Sequence, residues 1–223
     1  MATTSPRIAL SALLPLLALA ASARAQEPLR VRATPAVAPC VTAASPSWPG
    51  GRVAVETVGL QDPGPVDVFV GTSVEMTRAL EGGGAVVNSD VDIAEIPWVL
   101  SVASGNPLRV RSLADAREKG AEVVLLGGPV AYEARRALAG AATSRVREST
   151  DRQTLRAASV ALLPLSLAGS GERIAVPEVP ALRATAAVAA GAAPRERAEQ
   201  FVRFLGSEAG QRAFAACGGA APR

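Results

Sequence analysis

Histidine is absent from the 223 residues, lysine occurs only as Lys119, and aromatic side chains make up 3% of the chain. Without histidine, serine and cysteine nucleophiles lack their usual general base. With only two, widely separated cysteines, a zinc site has too few ligands. No glycine-rich phosphate loop of the Walker type occurs either. Together these absences argue against an enzyme, and no cofactor or metal is expected. Scarce aromatics and the lack of a concentrated basic face exclude a nucleic-acid surface. Beyond residue 25, no stretch approaches the roughly 20 continuous apolar residues of a membrane-spanning helix.

The first 25 residues read as an export signal. Arg7 supplies the positive start, Ile8 to Ala20 the apolar stretch, and Ala21-Ser22-Ala23-Arg24-Ala25 the small-residue cleavage site. A mature chain from Gln26 in the periplasm follows. Removing Arg7 and Arg24 from 23 basic residues leaves 21 against 20 acidic ones, a net charge near +1. Hydrophobic residues at 49% are enough for one compact domain or two small lobes. In an oxidising compartment Cys40 and Cys217 are expected to pair, tying the first segment to the last.

Strand and helix signals alternate. Leu29 to Ala33, Arg52 to Val58, Val66 to Val70, Glu122 to Leu126, Arg145 to Glu148, Val160 to Leu165, Arg173 to Val176 and Thr185 to Ala190 read as strands. A long apolar stretch from Ile93 to Ala103, broken by Pro97, suits a crossing between lobes. Thr34-Pro35 can open a helix, interrupted by Pro39, Pro46 and Pro49. Thr72 or Ser73 caps another, and Ser112 to Asp115 and Thr150 to Gln153 are capping-box patterns. Ala198, Phe201, Val202 and Leu205 recur at helical spacing before a second short helix that ends near Gly218. The alternation implies an α/β fold with mostly parallel sheets covered on both faces. Asp90, Asp92 and Glu95 read as a solvated loop face, and Tyr132 as a packing residue.

The closing segment, "PRERAEQFVRFLGSEAGQRAFAACG" at Pro194 to Gly218, resembles the last two helices of bacterial periplasmic solute-binding proteins of the molybdate-binding type. "VDVFVGTSVEMTRALEGG" at Val66 to Gly83 and "VLSVASGNPLRVRSLADARE" at Val99 to Glu118 resemble further units of that family, in family order. The resemblance implies a two-lobed type II periplasmic-binding-protein fold. Residues 26–98 and 188–223 would form lobe 1, with 99–187 inserted as lobe 2 between hinge strands near 99–104 and 182–190. It also implies a monomeric receptor that binds a small oxyanion, molybdate or tungstate, and delivers it to an ABC permease in the inner membrane.

A tetrahedral oxyanion can be held by N–H groups at helix starts and by hydroxyls. Strand-to-helix junctions supply Thr34, Thr72, Ser73, Gly128, Val130, Ala131 and Thr150. By resemblance, Thr34 stands at a family serine and Gly127-Gly128-Pro129 at its "GDP" turn, with Val130 or Ala131 as N–H donors. A second family segment, a Gly-Ser turn opening a helix, has no counterpart, and Ser166 stands where the family has tyrosine. Two hydroxyl donors are therefore missing, each worth roughly 1.5–3 kcal/mol toward a charged group. A different anion, or an accessory or sensory module that keeps the fold without transport, stays open.

Overall fold

The computed structural model describes residues 27–61, 64–139 and 145–222. The export signal at 1–25 lies outside these residues. Among them, no helix is long and apolar enough to cross a membrane.

The first sheet contains β1 (Leu29–Ala33), β2 (Val53–Thr57), β3 (Val68–Thr72), β4 (Val91–Ile96) and β10 (Leu182–Val188), in the order β2-β1-β3-β10-β4. β1 runs parallel to both neighbours, whereas β10 is antiparallel to β3 and β4. The second contains β5 (Trp98–Val102), β6 (Glu122–Leu126), β7 (Arg145–Ser149), β8 (Val160–Pro164) and β9 (Glu172–Ala175), in the order β7-β6-β8-β5-β9. The two sheets share one plan, three parallel strands followed by a mixed edge. The chain passes from one sheet to the other at Pro97 and returns between Ala175 and Leu182. Proline has no N–H to give to a ladder, so the apolar stretch splits into two strands there. Residues 182–188, expected in part as a hinge strand, pair along their length within the first sheet.

Seven α-helices lie among the described residues: α1 (Ala38–Ala44), α2 (Ser73–Glu81), α3 (Leu113–Glu118), α4 (Tyr132–Ala139), α5 (Arg152–Ala157), α6 (Arg195–Gly206) and α7 (Glu208–Ala216). α1 differs from expectation at its start. Its N-cap is Val37 rather than Thr34, and Pro39 sits in the first turn, where no N–H is needed. α5 is capped by Asp151 rather than Thr150, its carboxylate accepting from Gln153 N and Thr154 N at 3.2 and 2.8 Å. Ser112 caps α3 as expected, accepting from Asp115 N at 3.0 Å.

The apolar stripe of α6 is buried as its spacing requires: Ala198, Phe201, Val202 and Leu205 all face the core. Trp48 meets Phe201 edge to face, with ring centroids 5.0 Å apart. On the same helix, buried Arg197 donates to three backbone carbonyls, those of Glu27, Gly50 and Arg52, and lies over Trp48. Ser207 then caps α7. A Cβ at Gly210 would stand 2.3 Å from the Phe204 carbonyl oxygen, so glycine lets the two helices meet at this angle. Cys40 on α1 and Cys217, just past α7, form a disulfide with Cα atoms 5.3 Å apart.

Candidate functional site

In the first sheet, the hydroxyls expected to hold an anion converge on a side chain of the protein itself. Thr34 follows β1, Thr72 ends β3, and Glu75 lies in the first turn of α2. Thr34 Oγ1 and Thr72 Oγ1 donate to Glu75 Oε2 at 2.8 and 2.9 Å, and Thr72 N donates to the same oxygen at 3.0 Å. Both threonines are buried, at 1% and 2% exposure, so no solvent competes for those protons. A hydroxyl carries one proton. Those of Thr34 and Thr72 are spent on the Glu75 carboxylate, at the junction where an anion was expected. Ser73, half-buried, makes no side-chain hydrogen bond among the described residues.

The expected donors of the second sheet lie at the carboxyl ends of its parallel strands. Gly128, with φ +92°, turns the chain out of β6 into a single 3-10 turn at Pro129–Ala131. That turn packs against α2. Val130 and Ala131 are buried, and the Ala131 N–H donates to the Gly128 carbonyl at 3.1 Å. Thr150, just past β7, stands beside Gly127 and is exposed. Ser166, in the 3-10 turn after β8, donates to the Ala36 carbonyl at 2.5 Å and so ties the second sheet's side to the turn before α1.

A cavity of about 450 Å³ lies where these two sides meet. Pro35 and Pro39 wall it from the first side. Thr150, Ser166, Ser101 and Ser104 contribute hydroxyls from the second, together with apolar Leu126, Leu155 and Leu163. The structure thus brings Thr150 and Ser166 into one cavity. Thr34, Thr72, Ser73, Gly128, Val130 and Ala131 lie outside its lining.

Arg152 and Arg156 also line this cavity, one helical turn apart on α5. Neither has an ion pair or hydrogen bond among the described residues. Sequence reasoning missed both, because it took the segment at Thr150 only as a helix start. Their i, i+4 spacing was visible, but only the fold aims them at a cavity. Glu75 was missed for a different reason. The T-x-x-E pattern at Thr72 marks a capping box, but the approach of Thr34, 41 residues away, leaves no local signal. Asp151, next to Arg152, is held below the usual carboxylate range by the Thr154 hydroxyl first, then by the Thr154 and Gln153 N–H groups. Its charge is committed to capping α5.

Two other expectations need correction. Asp92 and Glu95 belong to β4 rather than to a loop, and Asp92 accepts from Thr185 Oγ1 at 3.0 Å and pairs with Arg183. Tyr132 is 56% exposed and does not pack in the core. The buried side of α4 is made instead by its own Ala134 and Leu138.

Two five-stranded mixed sheets, joined by two crossings and flanking a cavity at their junction, define a two-lobed type II periplasmic-binding-protein fold. A family model for bacterial extracellular solute-binding proteins matches residues 15–218. The chain belongs to that family. Among solved structures, the periplasmic molybdate-binding protein of Azotobacter vinelandii is similar with a TM-score of 0.74 at 16% identity, covering 87% of this chain and 100% of that one. The tungstate ABC transporter structure from Geobacter sulfurreducens gives 0.67 at 13%, covering 86% and 99%. Peb3 from Campylobacter jejuni gives 0.70 at 14%, covering 87% and 100%. Direct comparison with curated proteins finds no match.

Proposed function

We propose that this protein is the periplasmic receptor of an ABC importer and captures an anionic solute in the cavity between its two lobes. The observation that carries this reading is the pair Arg152 and Arg156, two cations on the wall of that cavity without an ion pair among the described residues. A guanidinium left unpaired at a cleft is matched to a carboxylate, phosphate or similar oxyanion. The fold neighbours are compatible with this breadth. Two are described by molybdate or tungstate, and another structure of PEB3 is described as bound to L-phospholactate. Molybdate and tungstate are therefore the inorganic candidates.

Residues 27–96 with 182–222 would form one lobe and 98–175 the other, hinged at Pro97 and at 176–181. Closure about these two segments would bring Pro35 and Pro39 down on Thr150 and the arginines, bury the anion, and present a closed form to a permease. Only a ligand that contacts both lobes can shift that equilibrium, which is why a cavity lined from both sides matters.

The test is thermal melting of the mature, disulfide-bonded protein against anions, a neutral sugar and a polyamine. A melting temperature that rises with the concentration of an anion, and with neither control, is the expected result. A response to the sugar or the polyamine alone would refute an anion receptor.

A further inference from the structure

Resting on the receptor reading above, we propose that the cavity selects a small organic anion with an apolar body rather than a bare tetrahedral oxyanion. Its charged group sits on Arg152 and Arg156, and its hydrocarbon part lies against Pro35, Leu155 and Leu163.

Three observations lead to it. First, the two buried threonine hydroxyls of the first lobe are already committed, and of the hydroxyls at Thr34, Thr72 and Ser73 only that of half-buried Ser73 is without a hydrogen bond among the described residues. Glu75 Oε2 already accepts from Thr34 Oγ1, Thr72 Oγ1 and Thr72 N. A dianion brought there would have to displace a carboxylate and then face its charge. Second, the cavity, with the lobes as they stand, has room for more than such an ion. Five heavy atoms, each allotted no more than one water's share of about 30 Å³, fill at most about 150 Å³, against a cavity of about 450 Å³. That size falls in the range of pockets that enclose organic ligands. Third, the chemistry of the walls is divided. The cations stand on α5, and the side facing them from the first lobe is proline, with no N–H to offer an anion. Leu155, between the two arginines in sequence, is buried and lines the same space. A ligand complementary to this cavity is charged at one end and apolar at the other.

Ser166 adds to the argument. Its proton goes to the Ala36 carbonyl, so toward a ligand it offers only lone pairs. An anion gains nothing from it, whereas an organic ligand that also carries a hydroxyl could donate to it.

The experiment is a calorimetric titration of the mature, disulfide-bonded protein with two homologous series, acetate to butyrate to hexanoate and ethyl to butyl to hexyl phosphate. Molybdate, tungstate and sulfate are titrated in parallel. The expected result is binding in at least one organic series, tightening about fourfold for each methylene buried, with no inorganic anion competing. The double variant Arg152→Gln/Arg156→Gln should weaken that binding about tenfold to a hundredfold. Both side chains are exposed and make no ion pair among the described residues, so its unliganded melting temperature should match that of the parent. Binding of molybdate or tungstate with no response to either series would overturn this inference and leave the receptor reading intact. Organic binding that is independent of chain length, or unaffected by the double variant, would also overturn it. If no anion of either kind binds, the receptor reading itself fails.

Discussion

The disulfide offers the most quantitative test of how this fold is held together. Cys40 lies on α1 beside the cavity wall and Cys217 follows α7, at a sequence separation of 177. Closing so long a loop in the unfolded chain removes entropy worth about 5 kcal/mol in the chain-entropy model. A domain of this size has a total stability of about 5–15 kcal/mol, so that contribution is a large share. For a chain of about 200 residues, 1 kcal/mol moves the melting temperature by about 2–4 °C. Loss of the bridge should therefore lower it by roughly 10–20 °C. Cys40 is fully buried and Cys217 half-buried, and the perturbation that removes the bond without a reductant is Cys40→Ala/Cys217→Ala. Urea unfolding of both forms should show a lower midpoint and a steeper slope in the variant, because its unfolded chain is freer to expand and exposes more surface. A stability difference below about 1 kcal/mol would refute the reasoning. A large loss with an unchanged slope would place the bridge's effect in the native state instead.

Arg197→Ala should cost about 3 kcal/mol, since it strands the carbonyls of Glu27, Gly50 and Arg52 and uncovers Trp48; Arg197→Lys, which keeps the charge but not the fork, should recover only part in the same urea assay. Gly210→Ala should cost about 1–3 kcal/mol, read from the urea midpoint, because its methyl group meets the Phe204 and Leu205 carbonyls where no flexible side chain can yield. Acid should weaken the fold through Asp67. Burial works to raise its carboxyl, but hydrogen bonds from the Arg30 side chain, the Arg30 N–H and the Ala193 N–H outweigh it and hold it below the ordinary value of 3.8. A depressed folded value means the stabilisation is complete above about pH 4 and is lost as pH falls through the folded value. Asp67→Asn should flatten the acid limb of a melting temperature against pH profile, and an unchanged limb would exclude Asp67 as its source.

The fold was legible where local pattern and tertiary role agree. The stripe Ala198, Phe201, Val202 and Leu205 is both a helical period and the face that packs on the first sheet, so reading one gives the other. Pro97 in an apolar run marked a break, and the chain changes sheets there. Legibility failed where a residue had two compatible uses. Thr34-Pro35 carries the composition of a helix start, but Thr34 has its proton drawn to Glu75 by a contact 41 residues away, and the helix begins at Ala38. Thr150 likewise satisfies a capping pattern that its neighbour Asp151 satisfies better, because a carboxylate accepts from two N–H groups at once.

The candidate cavity was the least legible part, and the cause is where each hydroxyl proton goes. Sequence shows that a hydroxyl exists at a junction and cannot show where its single proton goes. Thr34, Thr72 and Ser166 all stand at positions suited to an anion, and each is committed elsewhere, two to Glu75 and one to Ala36. The charges that remain available, Arg152 and Arg156, come from a helix that sequence reading treated as scaffold. A likeness at 13–16% identity shows the fold, and the residues that line the cavity have to be read from this chain itself. In this chain a single glutamate within reach of two threonines takes up three donors, and the positive charge on the cavity wall comes from two arginines a turn apart on the facing side.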